Sequence, residues 1–529
     1  MKGAIKFSTL AAAVLAASMT MYSTNAAAAG QADIDAALAA AREAVAAAQR
    51  AEAAAVEAKR AAEAAQAKAE AESARAKAIV DQVADGKAAS VDVGWKPSFD
   101  FHGYFRAGVG KSSQGANGGW NQSKVGRLGN EGDTYSELEF GTEVYKVNDV
   151  SFYIDSMLQL SSDGSEDGEG LSDDDFNVAL RQFNLQVKGL IPNQPNAVIW
   201  AGKRYYQRAD IHIIDSKYLN ISGSGAGIEY LQAGPGTFSF AWIRTDREDV
   251  EYMYKDANGY DKSYFSPVNV NYLDLRYAGW APWQGAWTQF TATVAIPSEV
   301  EGGNTKDQYG HVIQDNWGNN VTVDDVDGDA NQDTSFMGTI EFSQNFSLGY
   351  NKTVLQYANK ALAHNVIDIG GGWYDAWNDN EDAKGFGIIN TGELNITDNF
   401  SLAHVLHYGY ATDMGSEDNH SIIRAVARAG YQLTTYTRLL AEVGSYWEDV
   451  DYVDGPDRSQ DGQKYTLAYA IAAGKGLMAR PELRVYASYI DINGDDLGWN
   501  TNNAALNGAY GKSSDDSEWN FGVQAEAWW

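Results

Sequence analysis

The chain ends in Trp519-Asn-Phe-Gly-Val-Gln-Ala-Glu-Ala-Trp-Trp529, where apolar and polar positions alternate from one residue to the next. Such alternation predicts a β-strand with one apolar and one polar face, because successive side chains of a strand point to opposite sides. The polar face carries charge together with a large aromatic, Trp528, and the apolar face closes with Trp529. Lipid on one side and a wet lumen on the other explain this combination, so the stretch predicts a strand of a transmembrane β-barrel.

The same pattern opens the region that this strand closes, residues 98–529. In one run Phe99, Phe101, Phe105, Ala107 and Val109 oppose Asp100, His102, Tyr104 and Arg106; in another Leu138, Phe140 and Val144 oppose Tyr135, Glu137, Glu139 and Glu143. Short alternating runs separated by polar loops then continue through the region. At ~10 residues per membrane strand, plus turns and long outer loops, its length suits a barrel of roughly 16–18 antiparallel strands.

Three segments precede the predicted barrel. Residues 1–29 combine two lysines, an apolar core and a run of small residues, which is the pattern of a signal peptide. Residues 30–90 are dominated by Ala, Glu, Lys, Arg and Gln and predict a periplasmic α-helical coiled coil, with a single solvated helix as the alternative. The coiled-coil interpretation depends on residues at eleven-residue spacing: Ile34, Val45, Val56, Ala67 and Ala78. Residues 91–97 form the linker to the barrel.

The composition narrows the class of protein. A formal net charge of −31 disfavours nucleic acid as a partner, because the phosphates would be repelled. After the predicted signal peptide no run of 18 apolar residues occurs, so a transmembrane helix is not expected. The chain has no cysteine, and an exported fold must therefore stand without disulfides.

Motifs that would indicate catalysis or metal binding are weak. The chain has no Gly-x-Ser-x-Gly, no His-Glu-x-x-His and no cysteine nucleophile, so the sequence predicts that the protein is not an enzyme and needs no cofactor. Asp325, Asp327 and Asp329 alternate in an acidic stretch and are weak candidates for a structural calcium site. They depart from an EF-hand loop, because glycine stands at the fourth position and no Glu closes the loop at the twelfth.

Seven motifs along residues 98–529 resemble the maltoporin family of sugar porins. They are Phe99-Asp-Phe-His-Gly-Tyr-Phe-Arg106, Arg127-Leu-Gly-Asn-Glu131, Thr134-Tyr-Ser-Glu-Leu138, Trp200-Ala-Gly-Lys-Arg-Tyr-Tyr-Gln-Arg208, Ile221-Ser-Gly-Ser-Gly-Ala-Gly227, Arg480-Pro481 and Ala525-Glu-Ala-Trp-Trp529. The resemblance implies an eighteen-stranded barrel, a homotrimer, a third outer loop folded inward, and passive passage of oligosaccharides along a line of aromatic residues. The helical extension resembles that of the sucrose-porin branch of the family.

The resemblance also implies two sets of substrate contacts. The aromatic set is Tyr104, Tyr135, Tyr350 and Trp528; the polar set is Arg106, Arg127, Glu137, Arg181, Arg208, His212 and Asp215. Alternation independently places three of the aromatics, Tyr104, Tyr135 and Trp528, on the lumen face. A pyranose ring lays its C–H face on an aromatic ring, while its hydroxyls meet Arg donors and carboxylate acceptors at the flanks. Each aromatic also fits an interfacial girdle, and opposed lumen charges also fit a role in ion selectivity alone.

Three positions depart from the family pattern. Lys217 stands where the best-known member has a constricting Tyr, Asn220 replaces an Asp, and Met478 replaces an aromatic. Lys217 therefore joins the candidate substrate-binding residues. These changes predict a different constriction, and with it a shorter or an acidic sugar as an alternative to maltodextrin.

The sequence thus predicts an outer-membrane carbohydrate porin that lets maltodextrin, sucrose or related sugars diffuse down a gradient. The first alternative is a general diffusion porin with an acidic, cation-preferring lumen. The second is a structural role, in which residues 30–90 contact peptidoglycan and the barrel anchors the envelope.

Overall fold

The structure is a computed structural model that describes residues 97–113, 115–116, 122–162, 177–255, 261–298, 333–375, 380–495, 497 and 517–529. The predicted signal peptide, coiled coil and all but the last linker residue lie outside the described residues. The calcium candidates Asp325, Asp327 and Asp329 lie outside them as well.

Most of the described chain is β-strand. The strands are β1 (Phe99–Ser112), β2 (Gly115–Ala116), β3 (Thr134–Val147), β4 (Val150–Ser162), β5 (Asn177–Lys188), β6 (Val198–Arg204), β7 (Ala209–Ile211), β8 (Ser216–Leu219), β9 (Gly223–Ala233), β10 (Gly236–Lys255), β11 (Asp261–Trp280), β12 (Ala286–Pro297), β13 (Ser335–Phe346), β14 (Gly349–Asn359), β15 (Lys384–Thr397), β16 (Phe400–Met414), β17 (Glu417–Gln432), β18 (Thr437–Tyr452), β19 (Arg458–Ala472), β20 (Glu482–Gly494) and β21 (Ser517–Trp528). Two one-turn α-helices, α1 (Gln122–Val125) and α2 (Asn365–Asp368), lie in loops. Among the described residues, no helix is both long and apolar enough to cross a bilayer.

Eighteen of these strands, all except β2, β7 and β8, form one closed antiparallel barrel. Each pairs with its neighbours in chain order, and β1 pairs with β21 to close the barrel. The predicted eighteen-stranded antiparallel barrel is confirmed. Closure leaves no unpaired sheet edge, which is what a strand structure in lipid requires.

The two faces of the wall follow the alternation that the sequence predicts. On β21 the side chains of Trp519 and Phe521 are exposed on the outer surface. Those of Asn520, Gln524 and Glu526, at the other parity, are buried inside the barrel. An apolar band on the outside and polar groups within is the arrangement of a membrane barrel.

Three long connections, which join β1 to β3, β6 to β9 and β14 to β15, place described residues in the lumen; they are called the 113–133 loop, the 205–222 loop and the 360–383 loop. The 113–133 loop is fastened to the wall by the Lys464 ammonium, which donates to the Leu128 carbonyl at 2.7 Å. The 205–222 loop carries β7, a turn of 3-10 helix at His212–Ile214, and β8. It is the third outer connection of the barrel, and its inward course is the one that the family resemblance implies.

The three inward loops also contact one another. The Arg127 amide donates to the Ile213 carbonyl at 3.1 Å, and the Asn220 amide donates to the Gly371 carbonyl at 2.7 Å. Gly371 has φ of +81°, and a Cβ there would lie 2.7 Å from the Lys217 carbonyl oxygen, so this contact requires glycine. The 205–222 loop is therefore held between the other two.

Candidate functional site

A cavity of about 620 Å³ lies between the 205–222 loop and the wall formed by β1, β3 and β21. Its lining residues are Tyr104, Arg106, Arg127, Tyr135, Glu137, Arg208, Asp210, His212, Asp215, Lys217, Met478 and Trp528. One side of the cavity is mainly aromatic and the other mainly charged.

The aromatic side is built by strand register. Tyr104 on β1 pairs with Trp528 on β21, while Arg106 on β1 pairs with Tyr135 on β3, so three adjoining strands present their aromatics together. The Tyr104 ring lies 6.0 Å from that of Tyr135 and 6.5 Å from that of Trp528, nearly parallel to the latter at 16°. The three rings form one surface that faces the lumen.

Two neighbouring side chains hold the Trp528 ring in place. The Arg480 guanidinium lies 4.5 Å from the Trp528 ring centroid and donates to Glu526 Oε2 at 2.6 Å. The His212 ring meets the indole edge-on, with centroids 5.3 Å apart. The indole orientation is therefore set by packed neighbours rather than by solvent.

Arg127 and Glu526 form the ionic centre beneath the aromatic surface. The Arg127 guanidinium lies 2.6 Å from Glu131 Oε1 and 3.2 Å from Glu526 Oε1. It also donates to the Tyr104 hydroxyl at 2.8 Å, and that hydroxyl donates to Glu526 Oε1 at 2.9 Å. Buried charges of both signs are compensated here, as burial requires.

The charged side belongs to the 205–222 loop. Asp215 ends its 3-10 turn in the left-handed conformation, with φ of +49°, and accepts from Arg106 at 3.1 Å. Lys217 Nζ lies 3.9 Å from Asp210 and 3.9 Å from Asp215. The Arg208 guanidinium is stacked on Tyr205, 3.4 Å from the ring centroid.

Three groups of this loop that line the cavity have shifted pKa values, and burial raises that of Asp210. Burial, together with the neighbouring Arg127 guanidinium, holds the pKa of His212 well below its ordinary value, so the imidazole is neutral at neutral pH. Burial alone would raise the pKa of Asp215, but the cations of Arg127, Arg106 and Lys217 outweigh it and leave that pKa lowered. Asp215 is therefore an ionised acceptor at neutral pH.

Ten of the twelve candidate substrate-binding residues line this one cavity. The two others lie elsewhere on the lumen side. Arg181 on β5 donates to the Gln159 amide on β4. Tyr350 on β14 pairs with Glu393 on β15, at the same parity as Lys352, which contacts Tyr218 of the 205–222 loop.

A second cavity, of about 690 Å³, adjoins the first, and Met478 lines both. Glu393 lines this second cavity, and its cross-strand partner Tyr350 lines neither cavity but interacts electrostatically with both Glu393 and Asp210 of the first cavity. Met478 belongs to the connection between β19 and β20. This connection lies at the same end of the barrel as the two-residue turn 148–149, and it reaches inward from there.

Sequence reasoning missed several residues that shape the site: Glu131, Asp133, Tyr205, Asp210, Arg480 and Glu526. Four of them, Glu131, Tyr205, Arg480 and Glu526, stand in motifs that carry the family resemblance. Glu526 also shares the lumen parity of Trp528, which was a usable signal. Within the described residues, no three His, Cys, Asp or Glu side chains are placed to share a metal ion.

A closed barrel with an apolar exterior, a charged interior and a cavity bounded by inward loops defines a porin, a channel-forming protein of the outer membrane. Comparisons with known proteins narrow the class. The family model described as LamB porin matches residues 99–529. The chain belongs to the LamB porin family, whose members are channels and not enzymes.

Curated relatives cover nearly the whole barrel. Maltoporin 1 of Klebsiella pneumoniae subsp. pneumoniae is 49% identical over 435 residues, covering 82% of this chain and 93% of that protein. Maltoporin 2 of Yersinia pestis is 48% identical over 432 residues, covering 81% of this chain and 94% of that protein. Among solved structures, the trimer form of OmpT of Vibrio cholerae has a TM-score of 0.37 and 15% identity, covering 82% of this chain and 100% of that chain. That likeness is too distant to bear on the site.

Proposed function

We propose that the protein is a carbohydrate-selective porin and that sugars pass through the cavity between the 205–222 loop and the aromatic wall. The observation that carries the proposal is the continuous surface formed by Tyr104, Tyr135 and Trp528. This surface and the charged 205–222 loop line opposite sides of one cavity of about 620 Å³. A pyranose fits this asymmetry, because its C–H face stacks on the rings while its hydroxyls point toward the loop.

The polar groups around the cavity supply both kinds of hydroxyl partner. Asp210 and Asp215 are acceptors, while Arg208 and Lys217 are donors. Glu137 accepts from Tyr135 at 2.7 Å and from Tyr205 at 3.1 Å, which fixes the flank of the aromatic surface. Each contact is individually weak, and a channel needs sites that attract the solute and still release it.

The experiment is titration of the ion current through the channel in a planar bilayer with maltose, maltotriose, sucrose and a β-glucoside. We expect saturable block by at least one sugar, weakened about tenfold by Tyr135→Ala or Trp528→Ala, which corresponds to about 1.4 kcal/mol. Tyr436→Ala is the matched control, because Tyr436 is an exposed residue of the turn between β17 and β18. A current that no sugar reduces would refute the proposal and leave a general diffusion porin with a cation-preferring lumen.

We also propose that the protein is a homotrimer, and that residues 30–90 form a periplasmic coiled coil that contacts peptidoglycan. The family resemblance supports the trimer, and the helix-forming composition of residues 30–90 supports the coil. The mass of the full-length protein in detergent tests the trimer. Deleting residues 31–90 tests the contact with the cell wall: tethering predicts a loosened envelope with sugar transport unchanged.

A further inference from the structure

Most of the cations buried in the lumen are closely paired with carboxylates, whereas Arg424 donates to the Ser123 and Ile367 carbonyls. Eight of them lie within 3.1 Å of a carboxylate oxygen: Lys124, Arg127, Arg276, Arg428, Arg438, Lys464, Arg480 and Arg484. Such pairing is the usual condition for burying a charge. Pairing at this distance also leaves these cations little capacity to bind a charged solute.

Two cations of the cavity are placed differently. Lys217 Nζ lies 3.9 Å from both Asp210 and Asp215, which is too far for a hydrogen bond. In the part of the chain that the structure describes, no carboxylate forms an ion pair with Arg208, whose guanidinium is instead stacked on Tyr205. Both side chains line the cavity and keep donor N–H groups for a ligand.

The stacking of Arg208 on Tyr205 orients its guanidinium for binding a planar anion. The ring of Tyr205 lies against one face of the guanidinium, and the Tyr205 hydroxyl is itself held by Glu137 at 3.1 Å. The orientation of the guanidinium is thus fixed while its N–H edges stay open. A fixed fork of donors binds a carboxylate or phosphate in a bidentate manner with little further loss of side-chain freedom.

The carboxylates of the cavity do not cancel this charge. Asp215 is engaged by Arg106 at 3.1 Å, and Glu137 accepts from two tyrosine hydroxyls. Asp210 has only Lys217 as an ion-pair partner among the described residues. The other two lining cations are already compensated, because Arg106 lies 2.7 Å from Asp133 and Arg127 lies 2.6 Å from Glu131. Arg208 and Lys217 are therefore the two lining cations that have no carboxylate at hydrogen-bond distance among the described residues.

We propose that the cavity selects pyranosides carrying one anionic group, a uronate carboxylate or a phosphate ester, which Arg208 and Lys217 bind. This inference rests on the proposed function and narrows its substrate class. A pyranose stacked on Tyr104, Tyr135 or Trp528 presents its edge to the 205–222 loop, where these two cations lie. The anionic substituent of a uronate or a 6-phosphate projects from that edge.

The test uses three sugars that differ in one substituent: maltose, maltobiouronate and maltose 6′-phosphate. Block of the ion current is titrated with each sugar for the full-length protein in a planar bilayer at 0.1 M KCl. We expect at least one anionic sugar to bind about tenfold more tightly than maltose. Raising the salt to 1 M should reduce this preference, because the screening length falls from about 10 Å to about 3 Å.

Variants locate the preference. Lys217→Met and Arg208→Gln should each bring the ratio of anionic to neutral affinity close to one, while Lys217→Arg should retain it. Lys475→Met is the matched control, because Lys475 is exposed and lines the second cavity instead. A retained ratio of anionic to neutral affinity in Lys217→Arg would show that the effect of Lys217→Met comes from the lost charge and not from a folding defect.

The outcomes separate the two proposals. Preference for the uronate, the phosphate or both supports the inference and identifies the anionic group. Saturable block by maltose with no preference for either anion overturns the inference and leaves the sugar channel standing. If none of these three sugars blocks the current, and maltotriose, sucrose and the β-glucoside do not block it either, both the inference and the proposed function are overturned.

Discussion

Arg480 does not line the cavity of about 620 Å³, but it contacts Trp528, which does. Its guanidinium lies between the Trp528 ring and Glu526, and its other N–H groups donate to the Leu477 and Ala479 carbonyls at 3.0 and 3.1 Å. It therefore connects the inward connection after β19 to the last strand of the barrel. We propose that it is a positioning residue, because it contacts Trp528 and lies outside the lining of the cavity.

Arg480→Gln should weaken the sugar block of the current about three- to tenfold, because the indole loses its cationic partner and Glu526 loses one of its pairs. Arg480→Lys should recover part of the affinity, since it keeps the charge but not the planar fork. The control is Arg458→Gln, where an arginine lies 5.5 Å from the Tyr452 ring, away from the cavity. An unchanged block constant in Arg480→Gln would remove the positioning role.

At the scale of elements, the 205–222 loop forms one side of the cavity and is fastened at several points. The Tyr218 hydroxyl bonds to Glu341 and accepts from Lys352 at 2.8 Å, so it joins the loop to β13 and β14. The Tyr218 carbonyl accepts from Gln356 at 2.9 Å. A loop held in this way presents its charged side chains in fixed positions, which weak sugar sites require.

Tyr218→Phe removes the hydroxyl and leaves the Glu341–Lys352 pair, 3.0 Å apart, in place. We expect the free energy of unfolding to fall by about 1–3 kcal/mol, and open-channel current noise to rise as the loop loosens. Chemical denaturation and single-channel recording measure the two effects. Tyr357→Phe on the outer face of β14 is the control, and equal effects in both variants would contradict the anchoring role.

At the scale of the whole molecule, stability comes from the division between a lipid-facing exterior and an ion-paired interior. Leu467 on β19 is among the most exposed apolar side chains, whereas its neighbour Thr466 is buried and hydrogen-bonded to the Leu128 carbonyl at 3.0 Å. One residue step along a strand thus separates lipid from the packed lumen. The interior is held by contacts between segments far apart in the chain.

Leu467→Arg places a charge on the lipid face near the middle of β19 and should lower stability in bilayers by about 2–4 kcal/mol. Gln463→Arg on the same face, closer to the outer end of the strand, should cost at most about 1 kcal/mol, because the penalty falls toward the interface. Equilibrium unfolding in lipid vesicles measures both. Equal penalties at the two positions would contradict the assigned membrane depth.

Much of this protein is determined by its sequence alone. Alternation has a period of two residues and is local, so it assigns Tyr104, Tyr135 and Trp528 to the lumen before any contact is known. The family motifs then supply the strand number and ten residues of one cavity. The assignment of faces and strands therefore needed no tertiary information.

Only the tertiary structure decides which lumen residues meet. Barrel closure and register place Trp528 beside Tyr104, 424 positions earlier, and the inward loops carry Lys217 to the opposite side. Tyr350 shares the lumen parity yet does not line the cavity, and Arg208 is stacked on Tyr205; both outcomes depend on how the loops pack. Periodicity says which way a side chain points; the register of distant strands and the packing of loops decide what it faces.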